Sequence, residues 1–108
     1  MDERAFETLA DQTLAALLAR IEDQAGDALD ADLLGGILTI ELDDGRQYVI
    51  NKHAPNRQIW LSSPVSGASH YAWDEPARDW RSTRGGASLA RLLAEELSAV
   101  CGRDVRFD

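Results

Sequence analysis

The sequence predicts an α+β protein, a two-layer sandwich in which two helices cover one face of an antiparallel β-sheet, in the order α-β-β-β-β-(β)-α. Three observations predict it. Apolar residues recur at helical spacing near both ends of the 108-residue chain. Between 37 and 73 they alternate with period two instead. The alternating runs are separated by turn-forming Asp-Gly, Pro-Asn and Ser-Gly pairs.

The first helix is expected from Asp2 to about Gln24, where Phe6, Ala10, Leu14, Leu17 and Ile21 form a stripe that Leu9 and Leu18 widen. Glu3, Glu7 and Asp11 follow one another at i, i+4, and Glu22 returns to the same flank three turns below Asp11. Like charges at this spacing cost an isolated helix about 0.2–0.5 kcal/mol per pair, so the row calls for another reason to exist. Asp27, Asp30 and Asp32 then fall in a polar, Gly-interrupted segment expected to be a loop.

A first strand is expected at 37–42, with Leu38, Ile40 and Leu42 on its apolar face. Asp43-Asp44-Gly45 closes a tight turn into a second strand at 46–52, because Asp-Gly supplies the positive φ such turns require. Strands at 57–62 and 68–73 continue the meander, and Asp79–Ser82 adds a short one in which Trp80 packs. Ser88 is placed to cap a second helix running to about Val100, with Leu89, Leu92, Leu93, Leu97 and Val100 as its apolar face and Gly102 as its stop. No repeat or long linker divides the chain, so residues 1–108 are expected to form one domain.

Composition narrows the function classes. No apolar run approaches the roughly 20 residues that span a bilayer. The N-terminus MDERAFETLADQ is acidic where targeting segments are basic, and the single Cys101 has no internal partner for a disulfide, so a cytosolic protein without a targeting segment is expected. Charge is unevenly spread. Residues 1–44 carry 12 acids against Arg4 and Arg20, a net of −10, while residues 45–108 carry 7 acids against 9 bases, a net of +2. Such a field repels nucleic acid and anionic membrane and attracts cations or a basic protein surface.

The stretch NKHAPNRQIWLSSPVSGASHYAW, residues 51–73, carries polar and aromatic side chains that no core needs. If Tyr48, Ile50, Ile59 and Leu61 face inward, then Asn51, Gln58, Trp60 and Ser62 face outward, and Tyr71 and Trp73 inward leave His70 outward with them. An aromatic among polar donors on an outer face marks a docking surface. The alternative is that a neighbouring loop half covers Trp60, which then only packs.

This stretch, with its N-K-x-x-P-N-x-Q-I-W-L-S-S-P-x-S-G string, resembles the signature of the frataxin family, and the order of elements around it is similar over essentially the whole chain. Without a presequence it resembles the short bacterial CyaY-type form, although its sheet motif is unusually close to that of the mitochondrial proteins. The resemblance implies an iron-binding protein of iron–sulfur cluster assembly that contacts a cysteine desulfurase and a scaffold protein, as a monomer or an iron-dependent oligomer. It implies weak, exchangeable iron sites, for Fe(II) or Fe(III), along an acidic ridge that matches Glu3, Glu7, Asp11, Glu22, Asp23, Asp27, Asp30, Asp32, Asp43 and Asp44. Carboxylates are hard ligands that take other divalent cations as well. It implies a partner site at Asn51, Gln58 and Trp60, with Lys52 and Asn56 at its edge. His70 stands where mitochondrial members resemble one another in having an arginine. For the acidic row, the alternative is a solvated, solubilising helix face.

Other chemistry finds little support. His53 and His70 have no Cys or second His at zinc-ligand spacing. Cys101 reads as a small buried hydrophobe, Ser62, Ser63 and Ser66 lack a nucleophile-elbow setting, and Gly85-Gly86 lacks the lysine of a phosphate loop. Arg78, Arg81 and Arg84 form a basic patch, read either as solvated charges or as a contact for an acidic partner or the ridge. Three functions remain: an iron-carrying adaptor, a purely protein–protein regulator with incidental metal binding, and a ferroxidase. The last needs carboxylates converging on two irons, commonly with Glu-x-x-His motifs, and the chain has none. A non-enzymatic protein is therefore expected.

Overall fold

A computed structural model describes residues 1–108. Helix α1 (Glu3–Ala25) is followed by strands β1 (Asp30–Leu34), β2 (Ile37–Glu41), β3 (Gln47–His53), β4 (Gln58–Ser63), β5 (Gly67–Asp74) and β6 (Asp79–Ser82), then by helix α2 (Leu89–Cys101). The strands form one antiparallel sheet in sequence order, and both helices lie on one of its faces. The predicted sandwich is thus the observed one, with one strand more than the meander read from the sequence.

That strand corrects the loop expected around Asp30 and Asp32. Asp30–Leu34 pairs in register with β2, Leu34 opposite Ile37 and Asp30 opposite Glu41. Gly35 and Gly36 close the hairpin with φ of +60° and +78°, the double positive-φ turn that glycine makes accessible. The acids hide the strand in the sequence, since Asp has low β-propensity, yet at an edge they shield unpaired backbone groups from other chains.

The core is built as the periodicities require. Phe6, Ala10, Leu14, Leu17 and Ile21 of α1 and Leu89, Leu93 and Leu97 of α2 are buried against Leu38, Ile40, Tyr48, Ile50, Ile59, Leu61 and Tyr71 of the sheet. Ser88 caps α2 as read, accepting from the Arg91 amide, and Gly102 ends that helix in the left-handed region; Asp2, read as the first residue of α1, is instead its cap and accepts from the Ala5 amide. Trp80 packs edge-on to Phe6 and donates its indole N–H to the Thr13 hydroxyl at 2.9 Å. Trp73 is only half-buried, at the rim against Trp80.

Two features depart from expectation. Val100, assigned to the apolar face of α2, is exposed and lines a shallow hollow with Ala28, Leu29 and Leu42. Residues 103–108 pack back along the two helices: Val105 is buried, its amide and carbonyl both bonded to the Ser98 hydroxyl. Gln24 bonds both the amide and the carbonyl of Arg106. Inside, Glu96 of α2 accepts from the Tyr48 hydroxyl at 2.8 Å and from Ser63 at 2.6 Å, tying that helix to β3 and β4. Burial, with Glu96 next, pushes the Tyr48 phenol well above its ordinary range; burial also raises Tyr71.

Candidate functional site

The outer face of the sheet is organised by register. Asn51 lies directly opposite Trp60, and Trp60 directly opposite His70, so these three form one row across β3, β4 and β5. The same row continues to the sheet edge through Ile37, opposite Asn51, and Leu34, opposite Ile37. Leu34 is 76% exposed and Ile37 44% exposed, so the row ends in two apolar side chains facing solvent. Sequence reading missed both, since without β1 there was no partner to bring Leu34 alongside. The signal was present in Ile37, which alternation puts opposite to the core residues Leu38 and Ile40.

Trp60 is half-buried and sits between two imidazoles. His53 stacks on it with centroids 3.7 Å apart and planes 8° from parallel, and His70 with centroids 4.4 Å apart at 16°. The indole N–H donates to Gln58 Oε1 at 2.9 Å, which fixes the ring in its plane. The cover over Trp60 thus comes from the sheet's own histidines rather than from a loop, and the indole edge remains the centre of the row. His53, set aside above for want of a zinc-ligand partner, belongs to this platform. Its Nδ1 is shielded without a hydrogen-bond partner, so stacking rather than bonding holds the ring. Asn56 is exposed in the short 3-10 turn Ala54–Asn56 that links β3 to β4.

Lys52 corrects the expectation that it edges this platform. It shares the parity of Tyr48 and Ile50, so its side chain leaves the sheet on the helix side. There its ammonium reaches Asp11 at 2.9 Å and Glu7 at 3.9 Å.

The acidic residues do not form a uniform row. Glu3, Glu7 and Asp11 lie on the first half of α1, Glu22 and Asp23 near its end, Asp27 in the turn that follows, and Asp43 and Asp44 between β2 and β3. Asp30 and Asp32 are on β1, and Asp30 faces Glu41 directly across the ladder. A hollow of about 180 Å³ is lined by four carboxylates, those of Asp27, Asp30, Glu41 and Asp43. Glu41 is the ridge residue that sequence reading left out.

Several of these acids already hold cations. Arg103 grips Asp27 with two bonds of 2.8 and 3.2 Å, and that hydrogen-bonding holds the Asp27 carboxyl below its usual range. The Arg46 amide holds the Asp44 carboxyl below its usual range, and the Arg46 guanidinium pairs with it at 2.8 Å. No three His, Cys, Asp or Glu side chains converge closely enough to chelate a metal ion. The donor set suits hard cations such as Fe(II), Mn(II) or Ca(II), held by one or two carboxylates with water completing the shell.

The remaining candidates fall into place locally. Arg78 pairs with Glu75 at 3.3 Å and lies 5.7 Å over the Trp73 ring, and Arg81 pairs with Asp74 at 3.8 Å, so neither reaches across to the ridge. Cys101 is half-buried and burial pushes its thiol up, which suits packing rather than nucleophilic work. A hollow of about 550 Å³ lies between α2 and residues 104–108, where Arg91 pairs with Glu95 and Arg106 with Asp104.

An acidic α+β sandwich with a carboxylate ridge on one side and an aromatic-centred row across its open sheet is a protein built for binding. The chain belongs to the frataxin-like family, whose domain model matches residues 1–103. Members of this family are non-enzymatic. The chain is 43% identical to the mitochondrial frataxin of Arabidopsis thaliana over 99% of its own length and 59% of that protein. It is 39% identical to the iron-sulfur cluster assembly protein CyaY of Thioalkalivibrio sulfidiphilus, over 99% of this chain and 100% of that one. In structure it is similar to frataxin from Psychromonas ingrahamii, with a TM-score of 0.88 at 27% identity, covering 100% and 99% of the two chains. It is also similar to the trimeric frataxin of Saccharomyces cerevisiae in its ferrous complex, with a TM-score of 0.77 at 36% identity, covering 87% and 86%.

Proposed function

We propose that this protein serves iron–sulfur cluster assembly as an iron-binding adaptor. It takes up Fe(II) weakly along the ridge and docks through the Asn51–Trp60–His70 row on a scaffold protein while the ridge meets the basic surface of a cysteine desulfurase. Relatives named for this process and for a ferrous complex support the reading. The observation that carries it is the pairing of two separate surfaces on one rigid sandwich: unpaired carboxylates such as Asp30, Glu41 and Asp43 around one hollow, and a preassembled aromatic platform on the open sheet. Iron here is cargo. Open carboxylates with water in the remaining positions exchange it readily, which suits a carrier.

A second reading, a regulator acting only through protein contacts, is favoured by the absence of three converging ligands and by the ion pairs that occupy Glu7, Asp11, Asp27 and Asp44. A pull-down from cell extract with wild-type and Trp60→Ala protein, with and without Fe(II), tests both. The carrier reading expects capture of desulfurase and scaffold that Fe(II) alters and Trp60→Ala abolishes. Capture indifferent to Fe(II) supports the regulator, and capture unaffected by Trp60→Ala removes the sheet row from the function.

A further inference from the structure

Lys52 is the only lysine in the sequence; the other ten basic residues are arginines. Its position in the fold is as singular as its identity. The ammonium stands between two carboxylates from successive turns of α1, Asp11 at 2.9 Å and Glu7 at 3.9 Å, the one place on the ridge where two acids share a counter-ion. Its aliphatic stem lies in a slot over the β1–β2 hairpin: a Cβ at Gly36 would stand 2.6 Å from Lys52 Cε and 3.2 Å from Cδ and Cγ. The Lys52 amide also donates to the Gly36 carbonyl at 3.2 Å. Backbone and stem are therefore held, and the ammonium is aimed at α1 by the hairpin.

We propose that Lys52 is an exchangeable latch: a divalent cation on α1 competes with the Lys52 ammonium for Glu7 and Asp11, and its binding releases Lys52 to carboxylates of a partner on the adjoining sheet face. The proposal rests on the reading of α1 as a cation-binding surface. The physical grounds are specific to lysine. Where this chain keeps a two-bond ion pair it uses the guanidinium fork, as in Arg103 on Asp27. An ammonium is a compact, strongly hydrated point charge with no planar fork to match two carboxylate oxygens, so it gives up a half-exposed carboxylate pair at little cost. A dication brings twice the charge to the same two acids. Lys52 lies next in the chain to Asn51 and His53, so the end of β3 is where occupancy of the ridge becomes legible to a molecule docked on the row.

The sole ε-amine makes the test clean. The rate of Lys52 acetylation by a small activated ester, followed by peptide mass spectrometry, is measured with and without Mn(II) at matched ionic strength. Paramagnetic broadening of α1 amide signals reports independently where Mn(II) sits. The latch expects acetylation to rise about 3- to 10-fold with Mn(II) as the exposed ion pair opens. It expects the Glu7→Gln/Asp11→Asn variant to react fast with or without Mn(II), and Lys52→Met to bind Mn(II) about 2- to 5-fold more tightly because the competing charge is gone. Broadening around Glu7 and Asp11 with an unchanged acetylation rate overturns the latch and leaves the ridge reading intact. No broadening anywhere on α1 overturns both.

Discussion

The imidazole of His53 lies on the indole of Trp60 with ring centroids 3.7 Å apart and planes 8° from parallel, and His70 closes the other side. Two residues that are diagonal neighbours in the β3–β4 ladder thereby hold the most prominent aromatic ring of the outer face in one orientation before any partner arrives. A platform ordered in advance spares the partner the entropy of fixing it.

Replacing Trp60 by Ala removes two stacks and one hydrogen bond from a half-buried site, at a cost of about 1–2 kcal/mol. That corresponds to a melting point lower by roughly 4–8 °C per kcal/mol for a domain near this size. Thermal denaturation checks it. A loss of the about 3–5 kcal/mol typical of a fully buried Trp would show that the ring is core rather than platform.

Charge reversal at Glu22 and Asp23 to Lys is expected to abolish desulfurase binding while leaving the fold unchanged, since neither residue is in an ion pair within the protein. Calorimetric titration with Fe(II) under anaerobic conditions then separates the two roles. If the binding isotherm is unaltered, these two acids serve the partner and not the metal.

Divalent cations are expected to stabilise the folded state, because they bind the assembled ridge in preference to the unfolded chain. At a free concentration ten times the dissociation constant the gain is about 1.4 kcal/mol. Asp30 directly opposite Glu41 is a like-charge cross-strand pair, so Glu41→Gln should raise stability by about 0.2–1 kcal/mol and reduce the gain from cations. Melting points in Mn(II), Ca(II) and matched NaCl decide the matter; indifference to all three removes the strained ridge.

Tyr48 and Tyr71 set an alkaline limit. Both phenols are raised in the folded state above the ordinary phenol value of about 10, so above about pH 10 the unfolded chain loses protons that the folded one keeps. Their contribution is complete below pH 10 and is lost as pH rises beyond it. Denaturant unfolding at pH 8–11 should show this fall, and Tyr48→Phe should flatten it while costing stability at neutral pH through the unpaired Glu96 side.

Sequence alone determined both helices and the strands from β2 to β6, because periods of 3.6 and 2 are local properties of which side must be apolar. It also determined that Asn51, Trp60 and His70 share a face. The same alternation puts Lys52 with Tyr48 and Ile50, which its assignment to the edge of the docking site overlooked. What only the tertiary structure decided is what stands opposite each side chain. β1 exists because an acidic segment has β2 to pair with, and that pairing adds Leu34 and Ile37 to the docking row. His53 became part of the platform through a cross-strand diagonal. Asp27 and Asp11 lost their freedom to Arg103 and Lys52, partners 76 and 41 positions away in the chain. The distinction is physical: the pattern along a strand or helix fixes direction, whereas ion pairs, stacks and register depend on which distant residue the folded chain brings to the same point.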